Sequence, residues 1–179
     1  MSERIDLNSY IRTVPDFPIP GILFRDITPL LANPQALAQS VEDMSASWLD
    51  RGVEVVAAME ARGFMFGAAM AVRLGAGFVP VRKAGKLPWK TYNAEYTLEY
   101  RRDVLQVHQD AITPGQKVLV VDDLVATGGT AAAVIRLVEM LGGEIAGVQF
   151  LIELADLGGR KLLQGHEVCT VITYSGDDK

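Results

Sequence analysis

Short apolar runs alternate along the chain with segments whose apolar positions recur every three or four residues. Residues 118–121, Val-Leu-Val-Val, are a continuous apolar run, the pattern of a strand buried on both faces. Behind it, Ala131, Ala133, Val134, Ile135, Leu137, Val138 and Leu141 fall at helical spacing, and Gly142-Gly143 ends that helix. Runs at 53–59, 78–81, 145–154 and 168–174 predict further strands, and 64–74 a helix stopped by Gly75. Asn33 is placed as an N-cap with Pro34 at the first helical position; Leu37, Val41, Met44, Trp48 and Leu49 form one face before Gly52. Residues 3–12 predict a short amphipathic helix through Ile5, Tyr10 and Ile11. Residues 15–21 read as a proline-rich loop, and 83–93 as a flexible loop with three lysines. Residues 95–100 and 103–108 alternate and predict an antiparallel pair around Arg101-Arg102, with Pro114-Gly115 turning the chain into the 118–121 strand. Strands alternating with helices imply an α/β fold with a mostly parallel central sheet flanked by helices, organised as one domain over 1–179.

Ligands of such sheets bind beyond the carboxyl ends of the strands. The end of the 118–121 run carries Asp122 and Asp123, then Ala126, Thr127, Gly128, Gly129 and Thr130 lead into the helix. A helix start leaves about four backbone N–H groups without intrahelical partners, and the helix dipole favours an anion there. Glycines let backbone approach a phosphate closely, and the two threonines add hydroxyl donors. Carboxylates repel that phosphate but accept hydrogen bonds from vicinal hydroxyls. A pentose with its phosphate on 126–130 and its 2- and 3-hydroxyls on Asp122 and Asp123 satisfies both halves. Nothing matches Gly-x-x-x-x-Gly-Lys-[Ser/Thr], and no Gly-x-Gly-x-x-Gly follows a strand.

The formal net charge of −5 argues against nucleic-acid binding, which needs a basic footprint. An acidic chain handling a polyphosphate must gather cations locally, as residues 82–88 do: Arg82, Lys83 and Lys86 cluster there, although a solvated basic loop reads the same way. The single cysteine, Cys169, has no internal disulfide partner and suits a reducing cytoplasm. No secretory leader is visible and no apolar run nears the ~18 residues of a membrane span, so a membrane role is not expected. Residues 60–64, Glu-Ala-Arg-Gly-Phe, put Arg62 at a helix start, suited either to pyrophosphate or to capping a turn. Residues 17–29 mix prolines, large apolar groups and the Arg25-Asp26 pair, as either a packed coil or a surface for a planar base stacked on Phe24 and bonded to the backbone of Leu23. Glu99, by alternation, is a strand carboxylate on the face of Glu95 and Thr97.

The 118–130 segment closely resembles the 5-phosphoribosyl 1-pyrophosphate (PRPP) signature of the type I phosphoribosyltransferases. Residues 17–29 and Leu98-Glu99-Tyr100 look like the corresponding segments of the adenine-using members, and the likeness runs from about Asp16 to about Tyr174. It implies the type I fold, with residues 1–33 as an N-terminal helix and base-binding hood over the C-terminal strand edge, and 83–102 as a flexible catalytic loop and strand. The implied partners are adenine, PRPP, AMP and pyrophosphate, with Mg²⁺ arriving on the substrate, a homodimer and a cytoplasmic location. Asp122, Asp123 and 126–130 would hold the ribose phosphate. Arg62, Arg82, Lys83 and Lys86 would hold pyrophosphate, and Leu23, Phe24 and Arg62 the adenine. Glu99 and Arg62 would be catalytic, Glu99 near the purine imidazole ring. Position 61 of that family takes Ser or Ala, so Ala61 conforms.

Overall fold

The computed structural model describes residues 4–98 and 101–176, without the side chains of 97, 98, 101 and 102. Two compact units divide between Asp43 and Met44.

In the first unit the Asp6 carboxylate accepts the Asn8 N–H (3.0 Å) and opens a 3-10 turn, Leu7–Tyr10. Strand β1 (Arg12–Pro15) pairs antiparallel with β2 (Leu23–Asp26), Val14 opposite Phe24. The helix expected over 3–12 is therefore a single 3-10 turn followed by a strand. A helix of that length is marginal alone, and β-pairing with a distant segment satisfies the backbone of 12–15 instead. Asp26 accepts both the N–H and the hydroxyl of Thr28 (2.9 Å each) at the start of α1 (Thr28–Ala32). Asn33 Oδ1 accepts the N–H groups of Gln35 and Ala36 (3.0 and 2.9 Å), the cap expected for α2 (Pro34–Ala46). Helix α2 stops short of Gly52, giving way to a turn over 47–50.

The second unit holds the seven-stranded sheet, ordered β5-β6-β4-β3-β7-β8-β9. Its parallel part is β4 (Gly77–Lys83), β3 (Val55–Met59), β7 (Lys117–Val125), β8 (Glu144–Leu154) and β9 (Val168–Tyr174). Strands β5 (Thr91–Leu98) and β6 (Arg101–His108) extend it antiparallel. This is the mostly parallel sheet that the periodicity predicts. All five β3 residues are buried, and they alternate between faces. Val55, Ala57 and Met59 join Val118, Val120 and the inner face of α4 (Gly129–Met140) in one core cluster. Val56 and Ala58 face α3 (Arg62–Leu74), where Gly67 lies so close that a Cβ on it would sit 2.5 Å from that of Ala58. Apolar cover on both faces of β3 leaves its end as the place open to a ligand.

Strands run further than the apolar runs alone indicate. Strand β4 reaches Lys83 and β5 begins at Thr91, so the loop expected at 83–93 narrows to 84–90. Strand β7 takes in Asp122 and Asp123 instead of ending before them. Ladder hydrogen bonds with β8 continue as far as Val125, past an acidic pair that interrupts the apolar run before Leu124 and Val125.

Candidate active site

At the end of β7 the two adjacent aspartates are held differently. Asp123 is buried, and its Oδ2 lies 2.9 Å from Arg62 Nε, at the first residue of α3. Asp122 Oδ1 accepts the backbone N–H of Asp123 (2.9 Å). That oxygen packs against Gly63, where a Cβ would come within 2.6 Å of it. Burial, reinforced by the charge of Asp123, pushes the Asp122 carboxyl well above the ordinary range. Burial raises Asp123 as well, opposed by the Arg62 guanidinium. Two carboxyls placed this way repel one another, which favours a donor such as a sugar hydroxyl or a cation beside them.

Beyond Val125 the chain turns through 126–128 into α4. Gly128 caps the helix at φ 82°, a left-handed conformation suited to glycine, and no side chain caps the free N–H groups. A Cβ on Gly128 would collide with the carbonyl oxygen of Gly159, so the loop rests on a second backbone segment. Arg62, Asp122, Asp123, Ala126, Thr127, Gly128 and Thr130 line one cavity of about 210 Å³, with Met59 and Phe150 also in its wall. Open helix-start donors and paired carboxyls thus face the same space. Their oxygens also suit a hard cation such as Mg²⁺ carried on a substrate phosphate. Among the described residues no three His, Cys, Asp or Glu side chains group as a metal site.

The basic segment does not stand free. Glu60, directly after β3, accepts the Lys83 backbone N–H and takes Arg82 Nη2 at 3.1 Å and Lys86 Nζ at 3.4 Å. Lys83 Nζ is 3.0 Å from Asp103 Oδ2 on β6. Burial works to raise the Glu60 carboxyl, but the Lys83 N–H and the Arg82 guanidinium outweigh it and hold Glu60 below its usual range. The hydrogen bond from Lys83 lowers Asp103 against its own burial. Sequence reasoning passed over both carboxylates. A carboxylate at the carboxyl end of a buried strand was the available signal for Glu60, whereas Asp103 carries none.

Leu23 and Phe24 lie in the first unit, on β2. Leu23 is exposed, and the half-buried Phe24 ring meets Phe17 edge-on at 5.1 Å between centroids. Glu99 lies outside the described residues. No helix among the described residues is long and apolar enough to cross a membrane.

The sequence matches the phosphoribosyl transferase domain over residues 28–172. An adenine phosphoribosyltransferase of Thermotoga maritima is 56% identical over 171 residues, covering 96% of this chain and 99% of the relative. The crystal structure of the adenine phosphoribosyltransferase of Rhodothermus marinus superposes with a TM-score of 0.90 at 51% identity, covering 94% of this chain and 96% of that one. The Saccharomyces cerevisiae enzyme, crystallised with an imino-altritol bisphosphate and adenine, superposes with a TM-score of 0.87 at 38% identity, covering 92% and 96%. With the strand–acidic pair–glycine turn in place at the centre of the sheet, the chain belongs to the adenine phosphoribosyltransferases, of the type I phosphoribosyltransferase fold.

Proposed function

We infer that this chain transfers the 5-phosphoribosyl group of PRPP to adenine, giving AMP and diphosphate in purine salvage. The carrying observation is a cavity lined by Asp122 and Asp123 together with Ala126, Thr127, Gly128 and Thr130 at the start of α4. In our reading the turn takes the 5-phosphate on its N–H groups and the Thr127 and Thr130 hydroxyls, while the two carboxylates accept from the ribose diol. That grip fixes C1 for in-line displacement through an oxocarbenium-like state. Mg²⁺ would come with PRPP, held mainly through substrate and water, and would neutralise charge on the departing diphosphate.

Arg62, Arg82, Lys83 and Lys86 would join that neutralisation by exchanging carboxylate partners for diphosphate. By likeness to the family, the Leu23 backbone and the Phe24 ring would contact adenine. Glu99 would take the purine N7 proton as N9 bonds to C1. Glu99→Gln should then lower kcat roughly 10²–10⁴-fold with sugar-phosphate binding unchanged; unaltered turnover removes Glu99 from the chemistry. We propose a homodimer working in the cytoplasm, by likeness to the family.

The test is diphosphate release from PRPP with adenine, hypoxanthine, guanine, xanthine or orotate, with and without Mg²⁺. Turnover confined to adenine and dependent on Mg²⁺ is expected. Turnover with another base instead of adenine would reassign the substrate, and binding of PRPP without release would make the chain a sensor.

A further inference from the structure

The cavity above accounts for the residues that face a ligand, but not for a charged cluster on the far side of the phosphate turn. Glu153, near the end of β8, is buried, and its two oxygens accept from Arg160 Nε and Nη2 at 2.7 Å each. Arg160 also donates to the Val168 carbonyl on β9 (2.7 Å) and to Thr170 Oγ1 (3.2 Å), and Thr170 Oγ1 donates to Glu153 (3.3 Å). A two-pronged pair of this kind fixes orientation as well as distance. The hydrogen bonds of Arg160 keep the Glu153 carboxyl below its ordinary range despite burial.

Two features tie this pair to the phosphate turn. Glu153 lies opposite Val125 in the sheet, the last residue before the turn. Arg160 belongs to the 3-10 turn Gly159–Leu163, whose first residue presses backbone to backbone on the loop. A Cβ on Gly159 would sit 2.5 Å from the Ala126 carbonyl oxygen and 3.1 Å from the Gly128 nitrogen.

We propose that Glu153 and Arg160 are positioning residues: by locking Gly159 against residues 126–128, they hold the loop N–H groups in the arrangement that receives the 5-phosphate. Neither side chain touches the substrate. The proposal rests on the reading that the 126–130 turn is the phosphate subsite, and its test separates the two. AMP and adenosine share the base and ribose and differ in the phosphate, so the ratio of their affinities for the full chain, measured by titration calorimetry, isolates that subsite. A loss of general stability lowers the melting temperature but leaves the ratio alone.

The wild-type chain should favour AMP, and Thr130→Val, inside the turn, should reduce that preference. If neither holds, the phosphate-subsite reading fails. With both in place, Arg160→Gln should lower the AMP-to-adenosine ratio by about tenfold through misplacement of the loop, with adenosine affinity unchanged. Gly159→Ala should lower it with the charge pair intact. A wild-type ratio in folded Arg160→Gln protein overturns the proposal. If that variant does not fold, Arg160→Lys, which keeps the charge and loses the two-pronged geometry, decides by the same criterion.

Discussion

The turn at the end of β7 and the basic segment at the end of β4 are both candidates for binding phosphate, yet they are built in opposite ways. The turn presents backbone N–H groups from a helix start, wedged between Gly159 and the sheet, next to the buried Asp123 and the half-buried Asp122. Its charge is preorganised, and little must move to admit an anion. The basic segment presents Arg82, Lys83 and Lys86, each already paired with Glu60 or Asp103. These pairs are partly exposed, so each contributes little to stability and can be exchanged for an incoming polyanion. On the proposed function, one region would be a fixed cradle for the group that stays, and the other a set of replaceable contacts for the group that leaves.

Breaking the cradle should cost most. Replacing both aspartates, Asp122→Asn with Asp123→Asn, should lower kcat/KM for PRPP by about 10²–10⁴-fold, the loss of two charge-assisted hydrogen bonds at about 1.5–3 kcal/mol each. Steady-state kinetics with saturating adenine reads this directly; a change under threefold would argue against diol recognition by this pair.

The basic segment should respond more weakly and selectively. Glu60→Gln frees the cations but removes what holds them in place. It is expected to lower kcat/KM for PRPP about tenfold, the scale of one charged hydrogen bond, while AMP, which lacks the diphosphate, binds within about twofold of wild type. Equal loss for both ligands would show that Glu60 supports the cradle too. Because the Glu60 carboxyl is held below its ordinary 4.5, its stabilising contribution is complete above that pH. It is lost only as pH falls through the lowered value, so the contacts persist across the neutral range.

The smallest effect is one of stability and runs the other way. Asp122 is raised above 3.8, so between its ordinary and raised values the folded state binds more protons than the unfolded. Stability therefore falls as pH rises through that window. Asp122→Asn removes the penalty while keeping an acceptor for the Asp123 N–H. Its melting temperature near neutral pH, without ligand, should exceed that of wild type. A lower melting temperature would mean that the ionised carboxylate is a stabilising part of the empty site.

The same contrast explains what was legible in the sequence. Residues 118–141 declared strand, acidic pair, turn and helix because each signal is local: an apolar run, glycines without Cβ, a helical period. The partners of the basic segment were not legible, because Glu60–Arg82 and Lys83–Asp103 join residues about twenty apart through strand register. Gly159 and Arg160 escaped for the same reason, their importance arising only where a 3-10 turn meets the loop. The helix expected over 3–12 shortens to Leu7–Tyr10 and strand β1 carries no signal of its own, because a local amphipathic period cannot reveal that residues 12–15 pair with 23–26.

The most direct measurement of the central claim is a crystal structure of the chain with AMP. The 5-phosphate should lie on the N–H groups of 126–130, with both ribose hydroxyls within hydrogen-bond reach of the Asp122 and Asp123 carboxyls. A phosphate seated on Arg82, Lys83 and Lys86 instead, with the ribose turned away from the aspartates, would contradict it.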